Sequence, residues 1–197
     1  MTSQSRSGGA PRAAVFLDRD GTLIEDVGFL ERVDQVQVYP WTTDAVRRLN
    51  EAGLAVVVTT NQSGVARGIL TEEGIRSVHR HLSSILEAGG ARIDAYYYCP
   101  HHPEGTIQAY TRVCDCRKPS PGLVDQAVRD LSLDPTQSFV VGDKWMDIGL
   151  ARAVGAQGIL VRTGYAGRDR RPEGLDADAV VDNVSDAIDW IFRRIAD

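Results

Sequence analysis

Asp18 and Asp20 stand two residues apart in Asp18-Arg19-Asp20-Gly21-Thr22, directly after the apolar run Ala13-Ala14-Val15-Phe16-Leu17. A hydrophobic run that ends abruptly in two acids reads as a buried strand delivering carboxylates to the edge of a sheet. Carboxylates this close repel each other unless a cation sits between them. Gly21 and Thr22 allow a turn that brings backbone N–H groups to an anionic ligand. The chemistry this suits is a Mg²⁺ site in which one Asp also attacks phosphorus. Alone, Asp-x-Asp more often marks a solvated turn, so the reading depends on what else the chain holds.

Phosphoryl transfer asks for a nucleophile, a metal, donors to the equatorial oxygens and a cation against the developing charge. Asp18 can supply the nucleophile and a metal ligand. Asp20 can protonate the leaving oxygen and then deprotonate the water that cleaves an aspartyl-phosphate. Thr60 and the backbone of Asn61 can donate to phosphate oxygens, Lys118 is a candidate cation, and Asp143 would complete the Mg²⁺ site. Taken singly, Thr60 reads sooner as a strand-end hydroxyl, Lys118 as a surface charge and Asp143 as a helix cap. Their joint placement at successive strand ends is what favours chemistry.

A second constellation is Cys99-Pro100-His101-His102 followed by Cys114-Asp115-Cys116. Three thiolates and an imidazole are what a closed tetrahedral Zn²⁺ site requires, with either His101 or His102 as the nitrogen ligand. Four protein ligands leave no position for an activated water, so this zinc would be structural, pinning the 99–118 loop. Arg117 and Lys118, next to Cys116, would then be held in place by the metal cluster.

These groups need elements to position them. Apolar strands are expected at 13–18, 54–59, 93–99, 138–142 and 158–161, with a weaker one at 179–181. Helices are expected at 43–52, 72–88, 121–131, 146–154 and 185–195. The second helix carries Ile75, Val78, Leu82, Ile85 and Leu86 on one face, and the last carries Val184, Ile188, Ile191, Phe192 and Ile195. Ser120-Pro121 reads as an N-cap with Pro at the first helical position. Strands alternating with helices predict an α/β three-layer sandwich, Rossmann-like, with a mostly parallel sheet. Ligands in such folds bind outside the carboxyl ends of the strands, where the polar motifs fall.

At 197 residues, 43% apolar and 25% charged, the chain reads as one globular domain at 13–197, preceded by a polar, Gly-rich disordered tail at 1–12. A net charge of −5 argues against nucleic acid as a partner. No apolar stretch reaches membrane-span length and the N-terminus lacks a signal-peptide core, so neither a membrane partner nor export is expected. Three cysteines are too few for a disulfide framework and fit the cytoplasm. One core accounts for the apolar faces, which makes a monomer the expectation.

With these residues assembled, the chain closely resembles the haloacid dehalogenase superfamily. Within it, the chain looks like the bacterial D-glycero-D-manno-heptose 1,7-bisphosphate 7-phosphatases. The resemblance runs from about Ala14 to Val161 and is carried by FLDRDGT at 16–22, TNQSGVARG at 60–68, YYCPHHP at 97–103, CDCRKP at 114–119 and VGDK at 141–144. It implies a Mg²⁺-dependent phosphatase without a large cap domain, acting on a small sugar bisphosphate in heptose-precursor biosynthesis. Asp18 would be the nucleophile and Asp20 the acid/base. Both would serve Mg²⁺, Asp20 through its backbone carbonyl, with Asp143 as the third protein ligand. Thr60 and Lys118 would stabilise the transferring phosphoryl group, and Arg117 would recognise the substrate. Asp26, Val27, Gly28, Phe29, Thr60, Asn61, Gln62 and Ser63 would line the pocket with Lys144. Zinc would be held by Cys99, His101, Cys114 and Cys116. The resemblance assigns nothing beyond Val161. Two other readings are a histidinol-phosphate phosphatase, disfavoured by the long Cys99–Cys114 segment and the second-strand motif, and a silent zinc module that binds phosphorylated ligands, disfavoured because every chemical residue is present.

Overall fold

The computed structural model describes residues 11–196, so nearly all of the expected 1–12 tail lies outside the described residues. Arg12 does not belong to a tail. Its backbone N–H donates to Ser132 O at 3.2 Å and its carbonyl accepts from Asp134 N at 3.0 Å, which ties it into the fold.

The strands are β1 (Ala14–Leu17), β2 (Ala55–Asn61), β3 (Ala95–Cys99), β4 (Phe139–Gly142), β5 (Gln157–Val161) and β6 (Ala179–Val181). The helices are α1 (Thr42–Glu51), α2 (Glu72–Ala88), α3 (Gly122–Leu131), α4 (Trp145–Val154) and α5 (Val184–Ala196). All six strands form one sheet in the order β3-β2-β1-β4-β5-β6, and every pairing is parallel. The chain therefore builds outward from β1 through β2 to β3, crosses back, and builds the other way from β4. The reversal falls between β1 and β4, and the crevice at the carboxyl ends of these two strands is where such sheets bind ligands.

Period-two alternation along β1 sorts its side chains between two apolar layers. Val15 and Leu17 pack with Leu49 of α1, Leu82 and Leu86 of α2 and Ile188 and Ile191 of α5. Ala14 and Phe16 pack on the opposite face with Val124 and Ala127 of α3 and Leu150 and Ala151 of α4. Helices cover both faces, which is why β1, β2 and β4 are apolar throughout rather than alternating.

Several expectations needed correction. β2 runs two residues further than expected, so Thr60 and Asn61 remain paired with Tyr98 and Cys99. α3 begins at Gly122, and Pro121 stands at the N-cap without a side-chain cap bond. On α2, Ile85 is only half-buried and His79 takes a core-facing position beside Val78 and Leu82. On α5, Ala187 joins the buried stripe, while Ile195 is exposed and Phe192 lies half-buried under Arg48. Among the described residues, no helix is long and apolar enough to cross a membrane.

Candidate active site

Asp18 follows β1 and is anchored across the reversal by its backbone N–H, which donates to Val141 O of β4 at 2.9 Å. The turn after it depends on Gly21, whose φ of 83° lies in the left-handed region and where a Cβ would collide with the Asp143 carboxylate. Asp143 follows β4 in the same way. The buried carboxylates of Asp18, Asp143 and Asp147 offer oxygens that all lie within 4.8 Å of one another.

Lys118 Nζ sits among these acids, fully buried. It donates to Asp18 Oδ1 at 2.8 Å, to Asp147 Oδ1 at 2.6 Å and to Thr59 O at 2.8 Å, so all three N–H bonds are used. Burial disfavours its charge, but Asp147 and Asp18 outweigh this and raise its pKa. Asp147 carries no expectation from the sequence, because an acid in the first turn of a helix is ordinarily a solvated one that complements the helix dipole. In the structure it packs against Gly142, where no larger residue would fit, and its Oδ2 accepts the Lys144 N–H at 3.2 Å.

Burial also opposes ionisation of Asp18, yet Lys118 and Lys144 hold its carboxyl below the ordinary value. Asp143 is pushed up to about 8, first by burial and then by the negative Asp18. Asp147 is pushed up to about 6 by burial and Asp18, against the pull of Lys118. Three acids face two lysines here, and the third carboxylate is held protonated because no cation is left to balance it. Asp143 Oδ1 is buried without a hydrogen-bond partner, while its Oδ2 accepts from Tyr165 N at 2.6 Å. Asp143 Oδ1, which accepts no hydrogen bond and has Lys144 Nζ at 3.8 Å, lies beside Asp18 in an acid-rich pocket and fits a hard divalent cation such as Mg²⁺.

Asp20 turns its side chain away from this cluster. Its Oδ1 accepts from Arg19 Nε at 3.0 Å, and its Oδ2 accepts from Arg19 Nη2 at 2.9 Å and Gln62 Nε2 at 2.8 Å. Burial, with help from Asp18, raises its pKa despite Arg19. Gln62 Nε2 also lies 2.9 Å from Thr60 Oγ1, so the β2 end and the β1 end form one network.

A cavity of about 360 Å³ opens above these groups. Of the expected lining, Asp26, Gly28, Phe29, Asn61, Gln62, Ser63, Arg117 and Lys144 form its wall, joined by Asp20, Gly64, Met146 and Tyr165. Val27 is not in the wall and is 42% exposed, a departure from expectation, because the turn closed by Gly28 N and Asp26 Oδ1 at 2.9 Å leaves its side chain in solvent. Thr60 and Lys118 lie beneath the wall, both almost fully buried. Lys144 Nζ lies 3.2 Å from Asp26 Oδ2 and 4.2 Å from the centroid of the Tyr165 ring. Tyr165 was missed because nothing was assigned beyond Val161. The signal was Thr163-Gly164-Tyr165-Ala166-Gly167 after a fifth strand, one more polar strand end.

Cys99, His101, Cys114 and Cys116 converge, their ligand atoms within 4.8 Å of one another. The sulfurs lie 3.1–3.5 Å apart, and His101 Nδ1 is 3.2 Å from Cys116 Sγ. Cys116 is pushed down to about 5, chiefly by its hydrogen bond with Cys99, whose own thiol is pushed up in turn. Three clustered sulfurs and one imidazole nitrogen are the donor set of a closed Zn²⁺ site. His102 is not part of it and lies 3.4 Å from Arg67 Nη2 instead.

Lys118 does not depend on that cluster alone, as the sequence had suggested. Asn61 Oδ1 accepts its N–H at 3.0 Å and Asn61 Nδ2 donates to its carbonyl at 3.2 Å, so β2 holds it directly.

Residues 115–187 match the HAD-hydrolase-like family. The D-glycero-beta-D-manno-heptose-1,7-bisphosphate 7-phosphatase of Yersinia pestis is 40% identical over 186 residues, covering 93% of this chain and 92% of that protein. The D-glycero-D-manno-heptose-1,7-bisphosphate 7-phosphatase of Thermosynechococcus vestitus is 41% identical over 195 residues, covering 94% and 98%. A crystal structure of the D,D-heptose 1,7-bisphosphate phosphatase from B. bronchiseptica, complexed with magnesium and phosphate, superposes with a TM-score of 0.79 at 29% identity over 92% of this chain and 99% of that one. With this identity over nearly its whole length and this fold, the chain belongs to the D-glycero-D-manno-heptose-1,7-bisphosphate 7-phosphatase family of haloacid dehalogenase-like hydrolases.

Proposed function

We propose that the chain is a Mg²⁺-dependent phosphatase that hydrolyses the 7-phosphate of D-glycero-D-manno-heptose 1,7-bisphosphate. The observation that carries this reading is the buried Asp18, ionised against Lys118 and set beside an Asp143 oxygen that accepts no hydrogen bond. Asp18 attacks phosphorus through its free oxygen. The bond from phosphorus to the C7 oxygen breaks, and Asp20 gives its proton to that oxygen. Water then attacks the phosphorus of the aspartyl-phosphate, Asp20 takes a proton from it, and inorganic phosphate leaves Asp18. Lys118 stays within reach of the reacting oxygens throughout, and Thr60 and the backbone at Asn61 serve the equatorial oxygens. Mg²⁺, held by Asp18, Asp143 and the Asp20 carbonyl, would neutralise phosphate charge. Arg117 and Lys144, both in the cavity wall, supply positive charge for the rest of the anionic sugar, with Asp26 to orient Lys144.

Zn²⁺ on Cys99, His101, Cys114 and Cys116 has a structural part, fixing the loop from which Arg117 projects. The substrate is a small molecule, and the chain is read as a cytoplasmic monomer without nucleic-acid or membrane partners. The test is phosphate release from both anomers of the bisphosphate with and without Mg²⁺. Mg²⁺-dependent release of the 7-phosphate supports the reading. Turnover of histidinol phosphate in preference to either anomer would overturn it.

A further inference from the structure

His79 occupies a place on α2 that should be apolar. It faces the sheet beside Ile75, Val78, Leu82 and Leu86 and is 6% exposed. Its Nε2 lies 3.2 Å from Nη1 of Arg19. A guanidinium only donates, so Nε2 presents its lone pair and the ring proton sits on Nδ1. Burial and the neighbouring Arg19 push this imidazole down to about 3, in keeping with a neutral acceptor. The ring is fixed by aromatic contacts. Tyr96 stacks on it at 4.5 Å and 17°, and Tyr98 meets it at 5.8 Å and 65°. The Tyr96 hydroxyl is in turn 2.9 Å from Ser83 Oγ.

Arg19 is the largest fully buried side chain of the protein's described residues. A buried guanidinium is costly unless its N–H groups find acceptors. Two go to Asp20 as a fork, through Nε and Nη2, and His79 takes one on Nη1, which the fork cannot direct at Asp20. Such a two-point pair fixes the plane of the carboxyl as well as its distance. Asp20 Oδ2 accepts twice, from Arg19 and Gln62, whereas Oδ1 accepts once. The remaining lone pair on Oδ1 is therefore the seat for a transferable proton.

We infer that His79, acting through Arg19, is a positioning residue that holds the Asp20 carboxyl in the orientation from which Oδ1 delivers its proton to the leaving oxygen. This rests on the reading of Asp20 as the acid. It assigns a part in the reaction to a residue that touches neither substrate nor metal.

The test compares two substrates with different need of that proton. A sugar oxygen leaves poorly unless protonated, whereas p-nitrophenolate leaves as a stable anion. The ratio kcat/KM covers steps up to leaving-group departure, before water attacks, so it isolates the acid step. His79→Phe keeps a ring against Tyr96 and removes the acceptor. It should lower kcat/KM for the heptose bisphosphate by about 10- to 100-fold, the scale of an ångström-sized misplacement, with little change for p-nitrophenyl phosphate. His79→Gln, whose amide oxygen can accept from Arg19, should recover most of the loss. If the Phe variant does not fold, His79→Met removes the acceptor with a pliable apolar chain and is read in the same way. Equal losses on both substrates, or no loss on either, would overturn the inference. Asp20→Asn is measured alongside. Undiminished sugar turnover there would sink the acid assignment itself, whereas a selective loss there with no effect at His79 sinks the positioning role alone.

Discussion

Asn61 grips the backbone of Lys118 at both ends, accepting its N–H at 3.0 Å and donating to its carbonyl at 3.2 Å across 57 residues of sequence. The last residue of β2 thereby fixes the chain from which the ammonium reaches Asp18. Asn61→Leu should leave these backbone groups without their partner and cost about 1–3 kcal/mol of stability. It should also lower kcat, since Lys118 loses its aim. Thermal unfolding and steady-state kinetics of the same preparation check both; an unchanged kcat would show that the three bonds at Nζ suffice.

The zinc loop and β2 share the work of support, which divides the effects of losing the metal. Cys116→Ser should release zinc and let the Arg117 side chain drift, because among the described residues its one side-chain hydrogen bond is the long 3.4 Å contact from Nη1 to His101 O. KM should therefore rise more than kcat falls. Metal analysis of the unaltered protein, prepared without chelators, should find about one zinc per chain, as a closed four-ligand site requires. A collapse of kcat at unchanged KM would return Lys118 to the control of the zinc cluster.

Asp18→Asn should abolish turnover, since an amide neither attacks phosphorus nor offers full charge to a metal. Asp20→Asn should remain folded and slow the sugar substrate by roughly 10²–10⁴, the usual worth of acid–base assistance. Wild-type activity in either variant contradicts the mechanism.

The Mg²⁺ dependence of stability should grow with pH. Unfolded Asp143 loses its proton near 3.8, whereas the folded, metal-free group holds it to about 8. Between those values the folded chain binds more protons than the unfolded one, so metal-free stability falls as pH rises. Asp147, raised to about 6, acts in the same direction. A metal binds the deprotonated carboxylate and cancels this penalty. The rise in Tm on adding Mg²⁺ should thus be larger at about pH 8 than at about pH 5, and Asp143→Asn should flatten the difference. An equal rise at both pH values would count against Asp143 as the ligand.

Much of this architecture was legible in the residues. Apolar runs ending in Asp18, Thr60 and Asp143 announced buried strands with polar ends, because a strand covered on both faces has nowhere else to place charge. The cysteine pairs were equally open, since few other roles bring three thiols and a histidine together. What stayed hidden came from tertiary pairing. Asp147 and His79 looked like ordinary helix residues, and only their partners, Lys118 and Arg19, explain why polar groups occupy buried positions. Tyr165 lies beyond the stretch that the motifs cover, and one of its parts, the backbone N–H on Asp143, could come from any residue type.

Covalent attack by Asp18 is the central claim, and trapping the phosphoenzyme tests it most directly. In Asp20→Asn with p-nitrophenyl phosphate and Mg²⁺, the leaving group needs no proton, but water has lost its base. The expected result is a burst of p-nitrophenolate stoichiometric with enzyme, followed by slow turnover. Mass spectrometry of the acid-quenched protein should place one phosphoryl group on Asp18. No burst, or phosphate on any other residue, would contradict the claim.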